Sequence, residues 1–308
     1  ATSQPNPERR SFELSNPQRP VVLVAISGGG SRAAALGWSI LSELRDQTVS
    51  TGGAPHSLAD DVAVVSSVSG GSVIAADFVL KGKEGLEDFR KDFLVPDNME
   101  TLAADFLNPF SMLAKSWSGQ SRTDDVEALF DRALFRGRTF AEVNRQGKPY
   151  LILNATDVAS GERFAFTPQR FDDICADLDR QTLSSGVAAS SAVPVVLAPI
   201  ALRNHSGPDC PARPASNWPE QEMAKRFSPF LNLEAYKRAR YAVALRRSND
   251  PQNANASNRE PYIYLLDGGL VDNLGIQGLM EVLSTPQAAR VVTDPRTAAP
   301  ASLLEAIN

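Results

Sequence analysis

The chain has 308 residues, 43% hydrophobic and 22% charged, with a formal net charge of −5. That composition suits a globular chain with a sizeable core, and its mild acidity, with no basic cluster, excludes a general electrostatic grip on nucleic acid. Cys175 and Cys210 are the two cysteines, too few for a disulfide framework or a zinc site, and whether they pair is open at this level. No apolar run reaches membrane-spanning length.

Residues 1–19 carry three prolines among polar groups and read as an N-terminal arm. The chain starts at Ala1 with no signal peptide, so location stays open between export or membrane association after loss of a leader and, otherwise, the cytoplasm. Residues 21–26 form a continuous apolar run, the pattern of a strand buried on both faces of a parallel sheet. Ser27-Gly28-Gly29-Gly30-Ser31-Arg32 follows, then an alanine-rich helical stretch over about residues 33–47. Unpaired backbone N–H groups at such a junction, with the helix dipole behind them, attract negative charge. Two chemistries use that arrangement, phosphate binding and an oxyanion hole. The loop ends Gly-Ser-Arg rather than Gly-Lys-Ser/Thr, and its glycines are consecutive rather than spaced, which favours the oxyanion hole.

A β-branched run over residues 62–65 leads into Ser67-Val68-Ser69-Gly70-Gly71, and a helical pattern occupies residues 72–80. Strand, tight turn and helix with a serine at the apex make a nucleophile elbow, with Ser69 as the nucleophile and Gly71 as the closing small residue. Residues 85–117 are rich in Phe, Met and Leu and broken by Pro96 and Pro109. They read as part of a helical cap or lid over residues 85–135, either a small core of its own or an apolar groove for acyl chains. An amphipathic helix is expected over residues 123–134, capped by Thr123.

Residues 150–157 give a third strand, and a turn at 159–162 joins it to an antiparallel partner at 163–166. The small-residue stretch 184–193 reads as a closely packed helix whose serines serve packing and capping. A short strand is expected over 195–200. Residues 203–260 form a loop-rich insertion around a helix at about 233–247. The last strand, 262–266, runs into Asp267-Gly268-Gly269-Leu270-Val271-Asp272-Asn273, with helix resuming at 274–283 and Asn273 as its N-cap. Residues 286–308 are a C-terminal segment.

A serine hydroxyl needs a base. The only histidines are His56 and His205, and neither follows Asp267 in the chain as a Ser-Asp-His order would require. That leaves a carboxylate as base. Asp267 ends a buried strand and opens a glycine turn, which lets it reach the sheet edge that carries Ser69. A phosphate-binding protein, a Ser-His-Asp esterase and a catalytically silent lipid-binding protein are the competing readings.

The motifs Ser27-Gly28-Gly29-Gly30-Ser31-Arg32, Ser67-Val68-Ser69-Gly70-Gly71 and Asp267-Gly268-Gly269 occur in that order, and together they resemble the patatin-like phospholipase family. Asn154-Ala155-Thr156-Asp157 and Ala188-Ala189-Ser190-Ser191-Ala192-Val193-Pro194 resemble its bacterial members. The likeness covers about residues 20–285, read as one catalytic domain. It implies a three-layer α/β/α fold with a mostly parallel central sheet, and lipid acyl hydrolysis by a Ser-Asp dyad that needs no metal or cofactor. It implies Ser69 as nucleophile and Asp267 as base, with Gly28, Gly29 and Gly30 as oxyanion donors. Arg32, Gly71, Gly268 and Gly269 would be supporting residues, Arg32 holding the loop or meeting a phosphate. The expected partners are a lipid or ester substrate and a transient membrane or micelle surface. Head-group preference and oligomeric state are not legible.

Overall fold

A computed structural model describes residues 20–50, 54–95, 122–145, 147–194, 196–206, 233–248 and 261–283. Strand β1 (Val22–Ile26) passes through the glycine loop into helix α1 (Gly30–Asp46). The helix starts before its alanine run because the last loop glycine already takes the first turn. A short antiparallel pair, β2 (Thr48–Val49) and β3 (His56–Ser57), precedes β4 (Val62–Val68), which turns at Ser69 into α2 (Gly70–Lys81). Helix α3 (Leu86–Phe89) continues into a wider π turn, Arg90–Leu94. Residues 96–121, which hold much of the expected cap, lie outside the described residues, as does Cys210.

Helix α4 (Arg122–Phe130) then runs into a second π turn, Asp131–Phe135. Thr123 is not its cap. It sits inside the helix, where its hydroxyl donates to the Ala198 carbonyl at 2.6 Å and ties α4 to the distant loop just before residue 200. Next come β5 (Tyr150–Asp157), its antiparallel partner β6 (Arg163–Phe166), and α5 (Pro168–Asp173), which begins with proline and is capped by the Thr167 hydroxyl. Helix α6 (Leu183–Ser190) is the small-residue helix. The strand expected over 195–200 is instead β7 (Ile200–Arg203), and helix α7 (Leu233–Ser248) follows. Strand β8 (Tyr262–Asp267) ends at the glycine turn, where α8 (Gly269–Asp272) and α9 (Ile276–Leu283) begin. Asn273 therefore closes α8 and does not cap the next helix. Cys175 is disulfide-bonded.

The sheet runs in the order β1-β4-β5-β8-β7, with β6 also on β5. β1, β4 and β5 are parallel, whereas β8 is antiparallel to both β5 and β7. Four of the six strands among the described residues thus share one direction in a mixed sheet. β5 is the hub. Asn154 pairs with Val68 of β4 and with Ala165 of β6, while Ala155 pairs with Asp267 of β8 and with Phe164 of β6. β6 therefore takes one edge of β5, and β4 and β8 share the other edge end to end. Their C-terminal ends converge at Asn154–Ala155, which is where Ser69 and Asp267 lie.

Period-two alternation sorts the strand residues between two layers. Val65, Leu151 and Leu153 pack with Ile74, Val187 and Ala189 of α2 and α6. Val64, Tyr150 and Ile152 pack with Val282 of α9 on the opposite face. Leu153 is fully buried, as are Val64 and Val65, and burying each such side chain contributes about 1.5–3 kcal/mol. Helices on both faces of the sheet give the three-layer α/β/α architecture that the motifs imply.

Candidate active site

Ser69 occupies the single residue between β4 and α2 with φ 53° and ψ −131°. A non-glycine residue there is strained by about 1–3 kcal/mol, which the surroundings must hold in place. They do so by hydrogen bonds to its backbone. Ser72 N–H donates to the Ser69 carbonyl at 2.8 Å, and Ser69 N–H donates to Ser190 Oγ at 3.0 Å. The sharp turn lifts the hydroxyl clear of its own backbone, and Ser69 Oγ donates to Asp267 Oδ2 at 2.7 Å.

The other Asp267 oxygen, Oδ1, accepts the Gly269 N–H at 2.7 Å, so the carboxylate is oriented with one oxygen left for Ser69. Its backbone is fixed on two sides. Asp267 N–H donates to the Ala192 carbonyl at 2.9 Å, and Thr156 Oγ1 donates to the Asp267 carbonyl at 2.9 Å. Asp267 and Ser69 are both buried, with 7% and 8% of their surfaces exposed. Burial pushes the Asp267 carboxyl above its ordinary value of 3.8, and the Gly269 N–H and the Ser69 hydroxyl oppose the rise only in part.

The glycine loop faces this pair. Gly28 departs from its expected role, because its N–H donates to the Asn273 carbonyl at 2.9 Å and is not free for an oxyanion. The bond has a use of its own, since it ties the glycine loop to the turn that follows Asp267. Gly29 and Gly30, with φ of 144° and 62°, turn their backbones in ways other residues resist. Their N–H groups, with that of Gly70, lie at the N-termini of α1 and α2, where no acceptor within the helix exists, and among the described residues none of the three donates to another carbonyl. Two helix N-termini thus converge on one spot beside Ser69. The approach is close enough that a Cβ on Gly70 would stand 2.6 Å from Gly30 Cα, and one on Gly71 would meet the Ser27 carbonyl. Gly268 is packed in the same way against the Asn154 carbonyl. Arg32 is exposed on the first turn of α1 and makes no hydrogen bond or ion pair among the described residues.

Neither histidine is hydrogen-bonded to Ser69 or Asp267. His56 Nε2 lies 2.8 Å from Asp61 Oδ2 and belongs to the β2–β3 hairpin. The His205 backbone bonds to Ile174, and burial lowers the pKa of its ring. Among the described residues no group of three or more His, Cys, Asp and Glu is placed to hold a metal ion.

Three residues of the site were not singled out for it by the sequence. Ser190, in the serine-rich helix, bonds the nucleophile's amide. Asn154 donates to Ser66 Oγ at 3.0 Å and to the Ser67 carbonyl at 2.9 Å, and accepts from Arg163 at 2.6 Å, which is itself paired with Glu281. Asn273 holds the glycine loop. The likeness of residues 154–157 and 188–194 to bacterial relatives is the signal that pointed to the first two.

No curated protein matches the chain. The model of the patatin-like phospholipases matches residues 24–280, which contain the glycine loop, the elbow and Asp267. The chain belongs to the patatin-like phospholipase family, lipid acyl hydrolases built on this α/β fold.

Proposed function

We propose that the chain hydrolyses lipid esters through a Ser69–Asp267 dyad and an acyl-enzyme intermediate. The 2.7 Å bond from Ser69 Oγ to Asp267 Oδ2 carries this reading, because it joins a strained elbow serine to a buried carboxylate without a histidine. The ester carbonyl lies between Ser69 Oγ and the Gly29, Gly30 and Gly70 amides. Asp267 takes the hydroxyl proton as Oγ attacks the carbonyl carbon, and the three N–H groups hold the oxyanion, each worth about 3 kcal/mol in such sites. As the tetrahedral intermediate collapses, the leaving alcohol takes the proton from Asp267. Water then attacks the acyl-serine by the same route, giving the fatty acid and free Ser69. A carboxylate is a weak base in water, and the burial that raises the Asp267 pKa makes it a stronger one.

The surroundings suit an apolar substrate met at a surface. Leu270 and Leu274, just past Asp267, are each 57% exposed, and Leu36, one turn beyond Arg32 on α1, is 60% exposed. Exposed apolar side chains beside a basic one favour acyl chains and an anionic head group. The test is fatty-acid release from phosphatidylglycerol vesicles and from p-nitrophenyl butyrate, with Ser69→Ala as control. Release that vanishes in a Ser69→Ala protein with an unchanged melting temperature supports the proposal. Release that persists in that variant overturns it.

A further inference from the structure

The C-terminal end of α6 touches both members of the Ser69–Asp267 pair. Ser190 Oγ accepts the Ser69 N–H at 3.0 Å and donates to the Asn154 carbonyl at 2.6 Å. The Ser190 carbonyl accepts from Gly268 N–H at 3.2 Å, and two residues on the Ala192 carbonyl accepts from Asp267 N–H at 2.9 Å. A hydroxyl has one proton and two lone pairs. With the Ser190 proton given to Asn154 and one lone pair to Ser69, the remaining lone pair faces Ser72 Oγ at 2.9 Å, so Ser72 is the donor there. Ser72 in turn accepts from Ser67 Oγ at 3.1 Å. Ser67, Ser72 and Ser190 are all fully buried, and the Ser190 hydroxyl has no bonding capacity left over.

This hydroxyl stands at an interruption of the sheet. The pairing of β4 with β5 ends at Val68–Asn154, and that of β8 with β5 begins at Asp267–Ala155. In the gap the Ser69 N–H reaches the Asn154 carbonyl through Ser190. A strained φ of 53° persists only where its neighbours hold it, and this bond is the one the elbow amide makes. We propose that Ser190 is a positioning residue, which sets the distance between Ser69 Oγ and Asp267 Oδ2 through the elbow backbone without touching substrate. The inference rests on the reading of these two residues as the dyad. Removing the hydroxyl leaves the buried Ser69 and Ser72 donors unpaired and lets the elbow relax.

The test compares wild type with Ser190→Ala by fluorophosphonate labelling, steady-state hydrolysis of p-nitrophenyl butyrate and the pH profile of kcat/KM. The expected result is a fall in labelling rate and kcat of about 10- to 100-fold, the scale of an ångström of misplacement, with KM little changed. The acid limb of the profile should also move to higher pH, because the Ser69 bond that holds the Asp267 pKa down is loosened. A merely structural role would lower the melting temperature and leave both kcat and the limb in place, and that result overturns the proposal. Ser190→Cys keeps the volume but offers only a weakly bonding thiol, and it gives the same reading should the alanine variant not fold. Failure of wild type to label at Ser69 would refute the dyad itself. Wild type labelled at Ser69, with the variant equally fast, would refute only the role of Ser190.

Discussion

Replacing Gly70 by alanine tests whether the glycine loop and the elbow must touch. Its Cβ would lie 2.5 Å from the Gly30 carbonyl carbon and 2.6 Å from Gly30 Cα, where ordinary contact begins at 3.4 Å. The obstacle is backbone, so no rotamer change relieves it. The start of α1 and the start of α2 must separate by about 1 Å, which moves the Gly29 and Gly30 amides away from the carbonyl oxygen above Ser69. An ångström of misplacement costs about 100-fold, and loss of one oxyanion donor about 100- to 1,000-fold in kcat. The strain also costs about 1–3 kcal/mol of stability. The assay is kcat on p-nitrophenyl butyrate beside a urea titration, so that folded protein is compared with folded protein. We expect a folded variant with kcat down about 100-fold or more. A folded variant within about threefold of wild type would refute the convergence of the two helix ends as the source of the oxyanion site.

Asp267 must be ionised to accept the Ser69 proton, and burial raises its pKa, so activity should fall with falling pH through a midpoint above 3.8. A kcat/KM profile that is flat down to pH 4 would contradict this. Asp77, buried on α2, is pushed up to about 6 by desolvation, which the Lys81 ammonium 2.6 Å from Oδ1 opposes only in part. The folded state therefore holds its proton more tightly than the unfolded chain, and stability present below pH 3.8 is lost as pH rises through about 6. Asp77→Asn should accordingly be more stable than wild type at pH 8, by up to about 3 kcal/mol for some two pKa units, with the gain absent near pH 4. Denaturant midpoints at the two pH values check it, and a gain independent of pH would contradict the cause. His56→Ala and His205→Ala should leave kcat little changed, and abolition of activity by either would restore a histidine as base.

What the sequence carried was local chemistry. Ser69 and Asp267 were legible because each ends an apolar run at a glycine turn, and that pattern needs no knowledge of distant contacts. The direction of β8 was not legible, since an apolar run such as Tyr262–Asp267 reads alike in either direction. Yet the antiparallel entry of β8 is what brings its end against that of β4 on one edge of β5. Gly28 read as an oxyanion donor because its loop fits, and the carbonyl that takes its amide belongs to Asn273, at the far end of the chain. Ser190 was one serine among four in a small-residue stretch, and its partner lies 121 positions away. Thr123 read as a cap because its hydroxyl opens the helical pattern, but that hydroxyl meets Ala198 instead.

The central claim is that Ser69 is a nucleophile activated by Asp267 alone, and covalent labelling tests it most directly. Wild type and Asp267→Asn are treated with a fluorophosphonate at neutral pH, with and without detergent micelles, and read by intact mass and peptide mapping. The account predicts a single adduct on Ser69 in wild type, formed far more slowly in a folded Asp267→Asn protein. An adduct on another residue, no adduct under either condition, or equal rates in the two proteins would contradict it.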